Sequence, residues 1–109
     1  MKKSFRKDNK NKNSKSLVIK DKNIVIGHIK GDIIYNIFGN AKPYMYISEI
    51  CVHHDYRHKG YGKLLLKSIE ENDCSFTFLN CSTFREIAQR MYKEHGYFKR
   101  DSNIFKKEL

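Results

Sequence analysis

The chain has no run of some 18 apolar residues, so none of it reads as a membrane span. No apolar segment follows the basic first residues, so no secretory leader is expected. Tryptophan is missing and proline occurs once, at Pro43. The three cysteines, Cys51, Cys74 and Cys81, cannot all pair, and their spacing fits no zinc pattern. Free thiols in a reducing cytosol are therefore expected, and no metal site. His53, His54 and His58 also lack ligand spacing. Beyond a Lys/Asn-rich start there are no repeats or low-complexity tracts. Acidic residues are few, with 12 Asp and Glu against 22 Lys and Arg, for a net charge of +10.

The basic excess is uneven. Up to Asn23 there are nine Lys and Arg against two Asp and Glu. Residues 1–15 are Lys, Asn and Ser with little apolar content, which predicts a flexible basic arm ahead of a domain over 16–109. Such an arm is either a solubilising tail or an electrostatic tether to an acidic protein face or RNA. Within it, Ser4-Phe5-Arg6 is the one stretch that reads as a vestigial strand. At 109 residues the whole chain has the size of one domain.

Ser16–Lys20 and Ile24–Ile29, joined by Asp21-Lys22-Asn23, read as a β-hairpin because β-branched residues flank a turn. Gly31-Asp32 marks a turn or bulge, Ile33–Phe38 a further extended run and Gly39–Pro43 a loop. Tyr44–Val52 reads as a strand. Lys63–Glu71 has helical spacing, with Leu65, Leu66 and Ile69 on one face. Ser75–Leu79 alternates like a strand. Thr83-Phe84-Arg85-Glu86 fits a capping box opening a second helix, striped by Phe84, Ile87, Ala88 and Met91 and stopped at Gly96. Tyr97-Phe98 and Ile104-Phe105 suggest a closing hairpin. The order β-β-β-β-α-β-α-β-β predicts an α/β (α+β) fold with a mixed, mostly antiparallel sheet and helices packed on it.

The strand ending at Val52 runs into Arg57-His58-Lys59-Gly60-Tyr61-Gly62-Lys63 and then a helix. A helix start carries unpartnered N–H groups and the positive dipole end, which suits an anion. Arg57, His58, Lys59 and Lys63 add charge, and Gly60 and Gly62 permit close approach, so the turn reads as a diphosphate cradle. It is neither a dinucleotide-binding turn, since Leu65 replaces the third glycine, nor a nucleoside-triphosphate P-loop.

The wider pattern, Val-x-x-x-Tyr-Arg-x-x-Gly-x-Gly-x-x-Leu-Leu, resembles the acetyl-coenzyme A motif of the GNAT superfamily of N-acetyltransferases. A second block, Ala88-Gln89-Arg90-Met91-Tyr92-Lys93-Glu94-His95-Gly96-Tyr97, is similar to that family's Ala-x-x-Leu-Tyr-x-x-x-Gly-Phe segment. The resemblance spans roughly residues 16 to 100 and implies a GNAT-like fold. It also implies an acetyl-CoA-dependent enzyme acting on a primary amine by direct transfer. By resemblance, the backbone of Ile50, Cys51 and Val52 pairs with the pantetheine arm, and Tyr92 is the general acid for the leaving thiolate.

Glu49, on the strand beside the cofactor, is the candidate general base, with Tyr46 and His53 as lesser candidates. Arg85 stands where the family often carries Asn, so it either reaches a cofactor phosphate or is a solvent-facing charge. Cys51 reads as a small buried side chain, not a nucleophile.

The two helices that usually follow the family's first strand have no counterpart in this sequence. A reduced helical arm leaves an open acceptor side, for a protein lysine or N-terminus or a small amine such as a polyamine. A dimer partner or the substrate itself would complete that side. Two alternatives are a non-catalytic coenzyme A-binding module and a basic nucleic-acid- or ribosome-associated protein.

Overall fold

The computed structural model describes residues 3–8, as backbone, together with 13–35 and 42–109. Among the described residues, five strands form one sheet in sequence order: β1 (Lys3–Asp8), β2 (Ser14–Asp21), β3 (Ile24–Ile34), β4 (Tyr44–Val52) and β5 (Thr77–Phe78). All neighbours are antiparallel except β4 and β5. Two helices accompany the sheet, α1 (Tyr61–Ile69) and α2 (Glu86–Glu94). A 3-10 turn, His54–Tyr56, precedes α1. Among the described residues no helix is long and apolar enough to cross a membrane.

The core lies between one sheet face and α1. Leu17 and Ile19 from β2, Ile26 and Ile29 from β3, and Met45 and Ile47 from β4 are buried against Tyr61, Leu65, Leu66 and Ile69 of α1. The helical face expected at Leu65, Leu66 and Ile69 is the one that packs. Lys15 reaches the end of α1, where its Nζ donates to the Glu71 carbonyl at 2.8 Å. A cation at the carbonyl end of a helix meets the negative pole of its dipole. α2 flanks α1, with Met91 against Gly62 and Lys63 paired to Glu94 at 3.0 Å.

Several expectations change. Much of the basic arm is strand: Lys3–Asp8 pairs along its length with Asp21–Ser16 of β2, and Ser14 and Lys15 open β2 itself. An open sheet edge presents unpaired N–H and C=O groups that accept a neighbouring strand whatever its polarity. Residues 9–13 separate β1 from β2 in the sequence. β3 runs through Gly31-Asp32 to Ile34 without turning. Residues 36–41, which hold the rest of the extended run and most of the loop to Pro43, lie outside the described residues.

The irregularity near Gly31 is a bulge on β4. Lys30 pairs with Glu49 and Gly31 with Ile47, leaving Ser48 as the extra residue. The closing hairpin does not form: residues 97–109 contain no strand, and Phe98 and Phe105 are 83% and 93% exposed. An isolated hairpin gains little without a face to bury, and the two residues of β5 offer a short edge.

Candidate active site

The parallel pairing of β4 and β5 covers only Met45 with Thr77 and Tyr46 with Phe78. Beyond Tyr46 the two chains part. Among the described residues, no strand pairs the edge of β4 from Ile47 onward on that side. The opening is a cleft of about 290 Å³, lined from β4 by Ile47, Ser48, Glu49, Ile50 and Cys51. Leu79 and Asn80 beyond β5, Arg85 and Tyr92 from the α2 side, and His28 from β3 complete the wall.

The bulge at Ser48 decides what faces where. Alternation from Met45 and Ile47 would send Glu49 and Cys51 into the core. The extra residue reverses the parity, so Ile50 and Val52 pack inward while Glu49 and Cys51 are exposed. This corrects the expectation of a buried Cys51; the thiol lines the cleft. All three cysteines are free.

Tyr92 is buried, at 7% exposure, yet borders the cleft. Burial pushes its phenol above the ordinary tyrosine range, neighbouring Cys81 adds to the rise, and Arg85 opposes it. Arg85 caps α2 through its backbone, with no side-chain cap bond. The capping box over Thr83–Glu86 is therefore not made. Gln89 Nε2 instead donates to the carbonyls of Ser82 and Thr83, both at 2.9 Å, and gathers the turn ahead of the helix. Of the expected stripe, Phe84 and Ile87 are exposed while Ala88 and Met91 face inward, joined there by Tyr92.

The basic turn lies past the end of β4. The His53 N–H donates to the Ile26 carbonyl at 2.7 Å and the Tyr56 hydroxyl to Asp21 Oδ2 at 2.9 Å, tying the turn to the β2–β3 hairpin. Arg57 folds back, its Nε donating to the Val52 carbonyl at 3.0 Å. Lys59 lies 5.6 Å from the centre of the Tyr56 ring, and Lys63 pairs with Glu94. His58 holds φ 63 and Gly60, the residue capping α1, holds φ 85. Tyr61 buries its ring in the core, so only its backbone belongs to the turn.

The first bond of α1 runs from the Leu64 N–H to the Gly60 carbonyl at 3.1 Å, so the N–H groups of Gly62 and Lys63 precede the helical ladder. Open space surrounds the Gly60 Cα, with no atom within 4 Å of where a Cβ would stand. An anion at an open, glycine-capped helix start and an extended arm along the free edge of β4 match the two halves of coenzyme A.

Glu49, Ile50, Cys51, Arg85 and Tyr92 thus share one cleft, while Val52 and Arg57–Lys63 continue from its end. Nothing in the sequence singled out His28, Ile47, Ser48, Leu79 or Asn80 as lining residues. No local signal could show that β3 stands beside β4 in the register that brings His28 to Glu49. Tyr46 and His53 stand outside the lining. Tyr46 accepts a bond from Asn80 Nδ2 at 3.4 Å, and His53 Nδ1 accepts from the Asp55 N–H at 3.2 Å. Among the described residues, His53, His54 and Asp55 bring ligand-type atoms within 4.8 Å of one another, but all three are exposed and the His53 nitrogen already serves that backbone N–H.

The sequence profile of the Acetyltransferase (GNAT) family matches residues 1–97. No curated protein matches the chain. Solved structures share its fold. The aminoglycoside N-acetyltransferase AAC(6')-Iy, bound to the bisubstrate analogue CoA-S-monomethyl-acetylneamine, aligns with TM-score 0.76 at 18% identity over 91% of this chain and 71% of that one. The aminoglycoside acetyltransferase HMB0005, from an uncultured soil metagenomic sample, aligns with TM-score 0.83 at 15% identity over 92% and 68%. A putative acetyltransferase from Agrobacterium tumefaciens aligns with TM-score 0.79 at 16% identity over 90% and 71%. The chain belongs to the acetyltransferase (GNAT) family, as an acyltransferase with acetyl-coenzyme A as its donor.

Proposed function

We propose that this protein acetylates a primary amine, a lysine side chain or N-terminus on an acidic protein surface, with Glu49 as general base and Tyr92 as general acid. One observation carries the reading: the unpaired edge of β4 opens a cleft holding a carboxylate and a desolvated phenol, and that edge leads straight into the basic turn before α1. When bound, acetyl-CoA supplies an acetyl thioester whose sulfur departs as a thiolate. The backbone of Ile50, Cys51 and Val52, along the free edge, would hold the pantetheine arm, and the N–H groups of Gly62 and Lys63, with Arg57, His58 and Lys59, would hold the diphosphate. Glu49, exposed at the cleft wall, takes a proton from the acceptor ammonium and passes it to solvent. Tyr92, kept protonated by burial, would give its hydroxyl proton on the leaving-group side and regain one from the proton that the attacking nitrogen sheds as the amide forms.

Charge supports the protein acceptor. Among the described residues, Glu49 is the one carboxylate lining the cleft, with Arg85 and His28 also in its wall, on a chain of net charge +10. A polycation meets repulsion there, whereas an acidic protein surface is attracted. A second reading, a small amine acceptor, is favoured by the aminoglycoside acetyltransferases among the structural neighbours.

Calorimetric titration with acetyl-CoA tests the donor site, with binding expected in the range of ordinary enzyme–substrate affinities, about micromolar to millimolar. A panel of lysine peptides with acidic, neutral and basic flanks, beside polyamines and an aminoglycoside, then tests the acceptor. Preference for acidic flanks supports the protein reading, and turnover of the small amines alone overturns it. Glu49→Gln is expected to lower kcat by about 100-fold, at the lower end of general-base effects.

A further inference from the structure

We propose that His28 is the positioning residue for Glu49, with Ser16 fixing the tautomer of its imidazole; the inference rests on reading Glu49 as the base. The three side chains come from three adjacent strands. His28 Nε2 lies 3.4 Å from Ser16 Oγ on β2, and His28 Nδ1 lies 3.9 Å from Glu49 Oε2 on β4. The line they form crosses the sheet on the face opposite α1 and ends in the cleft.

Register builds this arrangement. His28 stands directly across from Cys51, which makes Glu49 its diagonal neighbour, within reach of long side chains. The same relation on the other side links His28, opposite Val18, to Ser16. The Ser48 bulge is what turns Glu49 to this face. Lys30 stands across from Glu49 on the same ladder and lies 3.9 Å from Asp32. It is the competing partner that would draw the carboxylate away from the cleft.

A neutral imidazole donates from one nitrogen and accepts at the other, and the bond made by one sets the role of its opposite. A hydroxyl donating to Nε2 leaves the proton on Nδ1, aimed at Glu49. The 3.9 Å separation exceeds a direct hydrogen bond, so the contact closes by rotation of Glu49 or through one water. Glu49 is 62% exposed and free to change rotamer, whereas the His28 ring is 28% exposed and confined between its neighbours. The confined group orients the loose one, holding the carboxylate toward the acceptor amine. This is the same service that outer partners give to ligating or basic groups elsewhere.

Nitrogen-15 NMR of the free protein reads the tautomer directly. Neutral His28 is expected as the Nδ1–H form, with Ser16→Ala shifting it toward a mixture; a predominant Nε2–H form in the unmodified protein overturns the proposal. Kinetics on an acidic-flanked lysine peptide supply the second readout. His28→Gln is expected to lower kcat about tenfold, the scale of outer-partner effects, with acetyl-CoA affinity by calorimetry unchanged. His28→Asn, whose amide N–H stands near the Nδ1 position, retains most of the rate.

In a Glu49→Gln background, His28→Gln adds no further loss if the two act as one unit. Equal losses for Asn and Gln, or additive losses in that background, overturn the positioning role. Glu49→Gln slow with His28→Gln at the unmodified rate overturns this inference alone. Glu49→Gln at the unmodified rate overturns the base assignment and this inference with it.

Discussion

Tyr92 concentrates the chemistry of the cleft in one atom. Tyr92→Phe removes the hydroxyl while keeping the buried ring. It is expected to leave acetyl-CoA affinity intact and lower kcat by about 100-fold, the lower end of general-acid effects. Burial raises the phenol's pKa, so the protonated donor persists through neutral pH and past the ordinary value near 10. The alkaline fall in kcat is therefore expected above pH 10, and Tyr92→Phe should lack it. Turnover by Tyr92→Phe at the unmodified rate would sink the acid assignment. In the sequence this residue was legible only through the resemblance of Ala88–Tyr97 to the family's second block. The sequence carried nothing for His28, whose meaning depends on which strand lies beside it.

Two connections decide how the elements present the site. Gly60 holds φ 85 where a Cβ would meet no atom, so its requirement is backbone geometry and not space. Gly60→Ala is expected to cost about 1–2 kcal/mol, the penalty of a left-handed L-residue. If the turn relaxes to avoid that strain, acetyl-CoA binds about tenfold more weakly, as 1.4 kcal/mol implies. Gly62→Ala places a Cβ 3.4 Å from Met91 Cε, an ordinary contact, and should fold as well as the unmodified chain. Thermal melts and calorimetry on the pair separate the two roles.

The second connection locks the end of α2. Tyr97, just past the left-handed Gly96, donates its hydroxyl to Glu70 Oε2 at 2.6 Å and lies 2.7 Å from Thr77 Oγ1. His95 joins the same carboxylate at 3.1 Å. Tyr97→Phe is expected to destabilise the fold by about 1–2 kcal/mol through the lost bonds. Burial first, then the bond to Glu70, raises the Tyr97 pKa far above its ordinary value, while Thr77 works against the shift. A raised pKa favours the protonated folded state. Its stabilisation is complete below the unfolded pKa near 10 and is lost as pH climbs toward the folded value. Denaturant titrations from pH 8 upward should show stability falling above pH 10, and Tyr97→Phe should flatten that decline. The element itself was legible as a helix ending at Gly96, but the lock was not, since Glu70 and Thr77 are remote in sequence.

For the molecule as a whole, charge sets the partner. A net charge of +10 on 109 residues makes association with an acidic acceptor long-ranged at low salt. At saturating acetyl-CoA, KM for an acidic-flanked lysine peptide is expected to rise steeply between low and physiological ionic strength, where the screening length shortens to about 8 Å. A neutral-flanked peptide should show little change. Equal salt dependence for both would argue against electrostatic choice of acceptor.

The sequence by itself determined the parts whose causes are local. The apolar spacing of Leu65, Leu66 and Ile69 specified the buried face of α1, the Lys22-Asn23 turn closed the β2–β3 hairpin, and Gly96 stopped α2 in a left-handed residue. The two motif blocks specified the family because backbone N–H groups and glycine do their work within a few residues. Tertiary structure alone decided the rest. One extra residue at Ser48, visible only in the pairing of β4 with β3, turned Glu49 and Cys51 from the core to the cleft. The short pairing of β4 with β5 opened that cleft, and the register of three strands lined up Ser16, His28 and Glu49. The C-terminal segment, strand-like by composition, formed no strand for want of a face to pack on. Propensity acts along the chain, whereas register, splay and burial act between residues that the chain holds far apart.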